Sequence, residues 1–267
     1  MSEHPFHRIV LLCDAACDIR LEVTDAAALA ARWGASLHGI FIDDENFRRL
    51  AALPFGQQVS LSCAALTEEF SAEEMTSLSS ARGAAMQRTL SEAARERGVG
   101  WSFGQVRDLP SVALLSDDPA DTLVIEAATR AFSGAWRPRS ARDKSSAAFL
   151  GSILLKRRGS GGRGMVVVVP AAAEDRAKVL ATSAAFAGTD EPIVLTGSST
   201  TLANAKDEIA RSFGARRRHV EQIPIDTGDR SALTRLIARR KPALVVLPPA
   251  RSDRPLDEFD RDVLLVR

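Results

Sequence analysis

Short runs of aliphatic and β-branched residues alternate along the chain with longer stretches whose apolar positions recur every three or four residues. That is the pattern of an α/β protein built on a parallel sheet. Arg8-Ile-Val-Leu-Leu-Cys13 reads as a buried strand ending at Asp14. A helix is predicted over about Leu21 to Trp33, Ala-rich and closed by Gly34, where a left-handed residue stops a helix. Leu37 to Ile42 is the second strand, Ala72 to Arg97 a long helix ending at Gly98, Trp101 to Val106 an alternating strand and Thr122 to Glu126 another buried one.

The same order then recurs. Strands are predicted at Met165 to Val169, Pro192 to Leu195, His219 to Ile225, Ala243 to Leu247 and Val263 to Val266, with helices at Glu174 to Ala187, Leu202 to Phe213 and Ser231 to Arg240. Two weakly similar halves, offset by about 156 residues at their first strands, read as a tandem repeat of one βα domain. The expected division is a first domain over residues 1–157, a linker over 158–163 and a shorter second domain over 164–267. Gly159-Ser-Gly-Gly-Arg-Gly164 has the composition of a flexible connection. The first half carries an insertion at about 43–69, with a helix from Asn46 to Leu53 stopped by Pro54. Phe47, Leu50, Ala51 and Phe55 would share one face there, as a lid on its own domain or as a partner-docking or ligand-covering element. Two complete domains need a last strand for the first one: either Ile153-Leu-Leu155 supplies it, or the first sheet is completed elsewhere.

Composition narrows the classes. A chain of 267 residues, 45% hydrophobic, can bury the cores of two modest domains. Its 35 Lys and Arg against 34 Asp and Glu leave a net charge of +1, which argues against a dedicated nucleic-acid binder and against a disordered polyelectrolyte. Three cysteines, Cys13, Cys17 and Cys63, make no disulfide framework. No signal peptide fits the polar opening, and no stretch approaches the ~20 apolar residues of a membrane span, so a cytoplasmic protein is expected. With no Tyr and 5% aromatic residues, stacking platforms for bases are disfavoured.

Asp14 follows the first strand at the carboxyl edge, where open parallel sheets bind ligands. Its carboxylate could accept from a ribose hydroxyl or an adenine amine; alternatively it turns the chain and caps the next helix. Gly151-Ser152 would let a backbone approach phosphate, with Ser152 donating at a helix start, or would be an ordinary turn. Gly159 to Gly164 matches the letters of G-x-G-x-x-G but precedes a strand, so it is not a dinucleotide fingerprint. Thr196-Gly-Ser-Ser is read as helix capping and Arg216-Arg-Arg-His219 as a solvated or interface run. Cys13 is expected to be inert core, and no metal set, nucleophile elbow or P-loop is present, so no enzyme is expected.

Ile9 to Asp14, the Ala-rich helix ending Ala30-Ala-Arg-Trp-Gly-Ala35, and Leu37 to Asp43 together resemble the opening of a universal stress protein domain. Asp44 to Phe55 is similar to a segment of bacterial members, Leu150-Gly-Ser-Ile153 resembles the end of the family's phosphate motif, and Leu256 to Arg267 its final strand. The resemblance implies two tandem Rossmann-like, universal-stress-type domains with parallel sheets flanked by helices. It also implies dimerisation, and ATP or another adenine nucleotide at the strand ends. Asp14, Ala15, Ile42, Glu126, Gly151 and Ser152 are then the candidate contacts. The family's two earlier glycines fall on Pro138 and Ala141, and the neighbouring Arg137, Arg139 and Arg142 could compensate only through side chains. The second half has Val169-Pro-Ala-Ala172 where the aspartate would be. The expected function is a stress-associated, non-enzymatic regulatory or interaction protein with weak or absent ATP binding, acting through protein partners and self-association. The alternative is an adenine-nucleotide sensor using the strand ends of the first domain.

Overall fold

A computed structural model describes residues 6–14, 17–43, 57–59, 67–69, 72–107, 118, 120–126, 151–157, 163–187, 191–213, 219–226, 229–248 and 260–266. Along the chain the elements are β1 (Arg8–Cys13), α1 (Ile19–Trp33), β2 (Ser36–Asp43), β3 (Gln57–Val59), β4 (Thr67–Glu69), α2 (Ala72–Arg97), β5 (Trp101–Arg107), β6 (Thr122–Glu126) and β7 (Ser152–Lys156). They continue as β8 (Met165–Val168), α3 (Ala173–Phe186), β9 (Ile193–Gly197), α4 (Ser199–Asn204), α5 (Lys206–Phe213), β10 (Val220–Pro224), α6 (Arg230–Arg240), β11 (Leu244–Leu247) and β12 (Asp262–Leu265).

The main sheet has ten strands in the order β10-β9-β8-β11-β12-β7-β6-β1-β2-β5. Where the sequence implies two parallel sheets, the structure has one continuous sheet, parallel throughout except at β7–β12. There Leu154 faces Leu264, flanked by Leu155 with Val263 and Ile153 with Leu265. Outward from that junction run β7-β6-β1-β2-β5 and β12-β11-β8-β9-β10. Numbered within its own half, each block has the strand order 3-2-1-4-5. Ile153-Leu-Leu155 therefore is a last strand, and its far side is taken by the other half of the chain.

Both faces of this sheet are covered, which is why its central strands read as unbroken apolar runs rather than alternating ones. Ile9, Leu11, Leu37, Val124, Val167, Leu195 and Val246 belong to a layer packed with α1 to α5. Val10, Leu12, Ile40, Leu123, Val166 and Val245 form the opposite layer with Leu233, Leu236 and Ile237 of α6. Helix α1 turns Val23, Ala26, Ala27, Ala30 and Trp33 inward, an i, i+3, i+4 stripe whose small residues allow close approach to the sheet. Helix α2 lays Met86 and Leu90 over Gly39 of β2, where an added Cβ would stand 2.9 Å from a Leu90 methyl. Gly34 ends α1 at φ 64°, as its position predicts.

Three expectations change. The helix predicted over Leu202 to Phe213 is two helices, α4 and α5, separated at Ala205. Part of the insertion is an antiparallel hairpin, β3–β4, which the sequence reading lacked, while the helix expected at Asn46 to Leu53 lies outside the described residues. Gly164 is no mere linker glycine. It sits at φ 76° with Pro192 O only 2.2 Å from where a Cβ would be, and its carbonyl accepts from Ala243 N at 2.9 Å.

The halves also meet above the sheet. Trp33 ends α1 and Phe186 ends α3; their rings are 4.2 Å apart, and Phe6 packs on both at 4.2 and 5.3 Å. The Trp33 indole N–H donates to Ala185 O at 3.1 Å, satisfying its polar end.

Candidate functional site

In each block the chain moves outward from the first strand, then returns to its other side. The switch points are therefore β1/β6 in the first block and β8/β11 in the second. Crevices at the carboxyl ends of such strands are where open α/β sheets take ligands. Because β7 and β12 are antiparallel, the two carboxyl rims lie at opposite edges of the sheet.

The first rim is polar. Asp14 follows β1 and is partly buried; its carbonyl accepts from Cys17 N and its N–H donates to Cys17 Sγ, both at 3.3 Å. Asp18, not Asp14, caps α1, its side chain accepting from Leu21 N at 3.3 Å. The capping alternative for Asp14 thus falls to its neighbour, and the Asp14 carboxylate stands at the switch point. Asp43, at the end of β2, is buried and accepts from Ser79 Oγ at 2.7 Å. Lys156 ends β7, and its ammonium pairs with Asp25 and lies 3.9 Å from the buried Glu22 carboxylate. Next to it, Arg157 N donates to Asp262 Oδ1 at 2.8 Å, tying this rim to the start of β12. The Cys13 thiol is pushed well above its ordinary 9.0, first by its hydrogen bond to Cys17 and then by burial.

The second rim is closed by its own contacts. After β8 come Val169, Pro170, Ala171 and Ala172, and α3 starts with no side-chain cap. Arg176, buried in the first turn of α3, makes a forked contact with Glu208 of α5: Nε to Oε2 at 3.1 Å and Nη2 to Oε1 at 2.9 Å. Its Nη1 also donates to Ala171 O at 3.0 Å. The Arg176 hydrogen bonds hold the Glu208 carboxyl below the usual carboxylate range. Ser198 caps α4, accepting from Thr201 N at 3.1 Å.

The sequence-derived candidates separate on this frame. Asp14 and the last position of β6, Glu126, share the first rim, where β6 pairs with β1 and Glu126 lies in register with Lys156. Ile42 is buried in the apolar layer with Leu12 and Ile40, so it packs the strand end. Ala15 lies outside the described residues, as do Pro138, Ala141 and the arginines around them. Gly151 and Ser152 are not brought to Asp14. Ser152 opens strand β7 rather than a helix, and its N–H donates to Asp121 O at 3.1 Å. It stands at the opposite edge, offset by about 16 Å along the strand direction at ~3.3 Å per strand residue. The short apolar run after Gly151-Ser152 fits a strand as well as a helix, which is why the pair reads as a phosphate turn from sequence alone.

Cys17, Asp43 and Lys156 are rim residues that the sequence reading did not select. Asp43 could have been found by the rule that found Asp14, since it also follows an apolar strand. Lys156 gives no signal before the register of β7 against β6 is known. Among the described residues no group of three or more His, Cys, Asp or Glu is placed to hold a metal ion. No helix among them is long and apolar enough to cross a membrane.

No protein-family model matches this sequence, and no curated protein matches it. Among solved structures, the chain is similar to a universal stress protein from Archaeoglobus fulgidus DSM 4304, with a TM-score of 0.51 at 10% identity over 97% of this chain and 96% of that one. The first ketoreductase of the tylosin PKS aligns at 12% identity over 90% of this chain and 60% of its own, with a TM-score of 0.22 that carries no argument. The sheet order and the end-to-end alignment agree on the architecture: an α/β fold of the universal-stress, Rossmann-like kind, with a mostly parallel ten-stranded sheet between helices.

Proposed function

We propose that the chain is two copies of one universal-stress-type module fused in tandem, acting as a stress-associated, non-enzymatic regulatory or interaction protein. The single observation that carries this reading is the repeated strand order on either side of the β7–β12 junction. Adenine-nucleotide binding in it is weak or absent. Supporting that, Lys156 at the first rim is committed to Asp25 and Glu22, and Gly151-Ser152 stands at the opposite end of the strands from Asp14. In the second rim Arg176 is held by Glu208, and Val169-Pro-Ala-Ala172 follows β8 where the first rim has Asp14. Its partners are other proteins, a second copy of itself included. Calorimetry with ATP should give no Kd below about 1 µM; tighter binding would overturn the weak-binding part.

The second reading, an adenine-nucleotide sensor, is favoured by one feature: Asp14 stands at the β1/β6 switch point while Asp18 takes the capping role. Native mass spectrometry of the purified chain separates the two, because it reports bound small molecule and subunit count together. Adenine nucleotide that co-purifies with the wild type and is lost in Asp14→Ala would install the sensor reading.

A further inference from the structure

The ten-stranded sheet ends at β5 on one side and at β10 on the other, and among the described residues neither has a strand on its outer side. The two margins are finished differently. At β10, Ile193 N donates to His219 O, so Glu221 and Ile223 turn their peptide groups toward β9, and Val220, Gln222 and Pro224 turn theirs outward. Proline has no N–H to offer, so Pro224 blunts that margin. At β5, Leu37 N donates to Gly100 O, so Ser102, Gly104 and Val106 bond to β2. Trp101, Phe103, Gln105 and Arg107 are left with their peptide groups pointing outward. The pairing with β2 runs without a bulge from Trp101 to Arg107, with no proline and no charge before Arg107. Trp101 is 40% exposed, and Ser102, Gln105 and Arg107 are exposed with it. A long, straight, uncharged margin is a template for another strand, and β5 lacks every device that would prevent it.

We propose that β5 pairs antiparallel with β5 of a second copy of the chain, about a two-fold axis at Gly104, so that two ten-stranded sheets become one. This is the surface for the self-association proposed above, and it rests on that reading. The margin is complementary to itself in this register. Trp101 falls opposite the second copy's Arg107, and Phe103 opposite the second copy's Gln105. All four turn their peptide groups outward, so each such pair closes two N–H···O bonds. Indole meets guanidinium across the strands, a cation–π contact that the symmetry makes twice. Gly104 meets its own counterpart where the strands of an antiparallel pair stand closest, and it brings no side chain. A parallel, in-register pairing would set Arg107 beside Arg107 and lose these contacts. The chain already joins its own two blocks by the same device, antiparallel pairing of one margin with another at β7 and β12.

The test is the subunit mass of the full chain by sedimentation velocity, from about 1 to 100 µM. The wild type should sediment as a dimer, at twice 28.7 kDa. A monomer at the highest concentration overturns the proposal and leaves partners of other sequence standing. Gln105→Pro removes an outward N–H and no bond to β2, so it should weaken the dimer at least about tenfold with circular dichroism unchanged. A dimer of unaltered strength would put self-association elsewhere and overturn this surface alone. The register is read separately, in chains that also carry Cys63→Ser. Gly104→Cys is tolerated in space, because a Cβ there has only His38 Cε1, at 3.9 Å, within reach. It should oxidise to a covalent dimer on a non-reducing gel at least about tenfold faster than Ser102→Cys, which faces Val106 rather than its own copy. Equal rates overturn the register, and this readout decides even where Gln105→Pro folds poorly.

Discussion

The two carboxyl rims of the sheet sit on strands of identical order and are finished in opposite ways. The first keeps Asp14 and Asp43 at strand ends and places its Lys156 ammonium between carboxylates. The second has Pro170 and two alanines after its first strand and closes itself with the Arg176–Glu208 fork. The fourth residue of the leading helix is Glu22 in α1 and Arg176 in α3, so equivalent positions carry opposite charge. Shared backbone order therefore does not entail shared chemistry: strand order is set by apolar runs that tolerate exchange of one aliphatic for another, whereas a rim changes character with a single substitution.

The sharpest way to break the pairing of the halves is at Trp33, which meets its counterpart Phe186. Trp33→Ala should cost about 3–5 kcal/mol in urea unfolding, from lost burial and the cavity left behind. A cost near zero would mean the halves are held by the strand junction alone. Lys156→Met removes the cation beside Glu22 and Asp25, and should cost about 2 kcal/mol, less than a fully buried pair because Asp25 is half-exposed. Its mirror, Arg176→Met, should let Glu208 titrate back toward its ordinary range, visible by carboxyl NMR. In the β1–α1 turn, Asp18→Ala should cost about 1 kcal/mol in thermal melts as a lost cap; an unchanged melt would refute the capping role.

The smallest effect is a pH dependence that begins at His38 in the first half. Burial, with a lesser contribution from Arg8, lowers the His38 pKa below its ordinary 6.5, so the folded chain favours neutral imidazole. That stability is fully present above the unfolded value and is lost as pH falls through the folded one. The melting temperature should therefore decline on acidification below 6.5, and His38→Gln should flatten the decline. Asp118, held low by the Ala120 amide and then by His7, and Glu208 in the other half are lost in the same direction, at more acid pH.

Much of this was legible in the residues. The run Ile9 to Cys13 is buried on both faces and therefore unbroken, and α2 was bounded at Ala72 and Arg97 by its spacing and by Gly98. Local signals could not say what lies beside β7, because its neighbour β12 is more than a hundred residues away and alternation names a strand without naming its partner. The same gap hides that Gly151-Ser152, whose letters fit a phosphate turn, opens a strand parallel to β6 and so stands at its amino end. Cys17 was passed over for a related reason: the contact of its sulfur with the Asp14 amide exists only once the turn is folded.

The junction of Leu154 with Leu264 also sets an order of events during synthesis. The first block emerges from the ribosome with β7 finished and one of its edges bare, and the segment that covers it, β12, is translated only after the other four strands of its own block. For that interval the nascent chain presents an apolar, hydrogen-bond-hungry edge, the kind that recruits chaperones or pairs wrongly with a neighbouring chain.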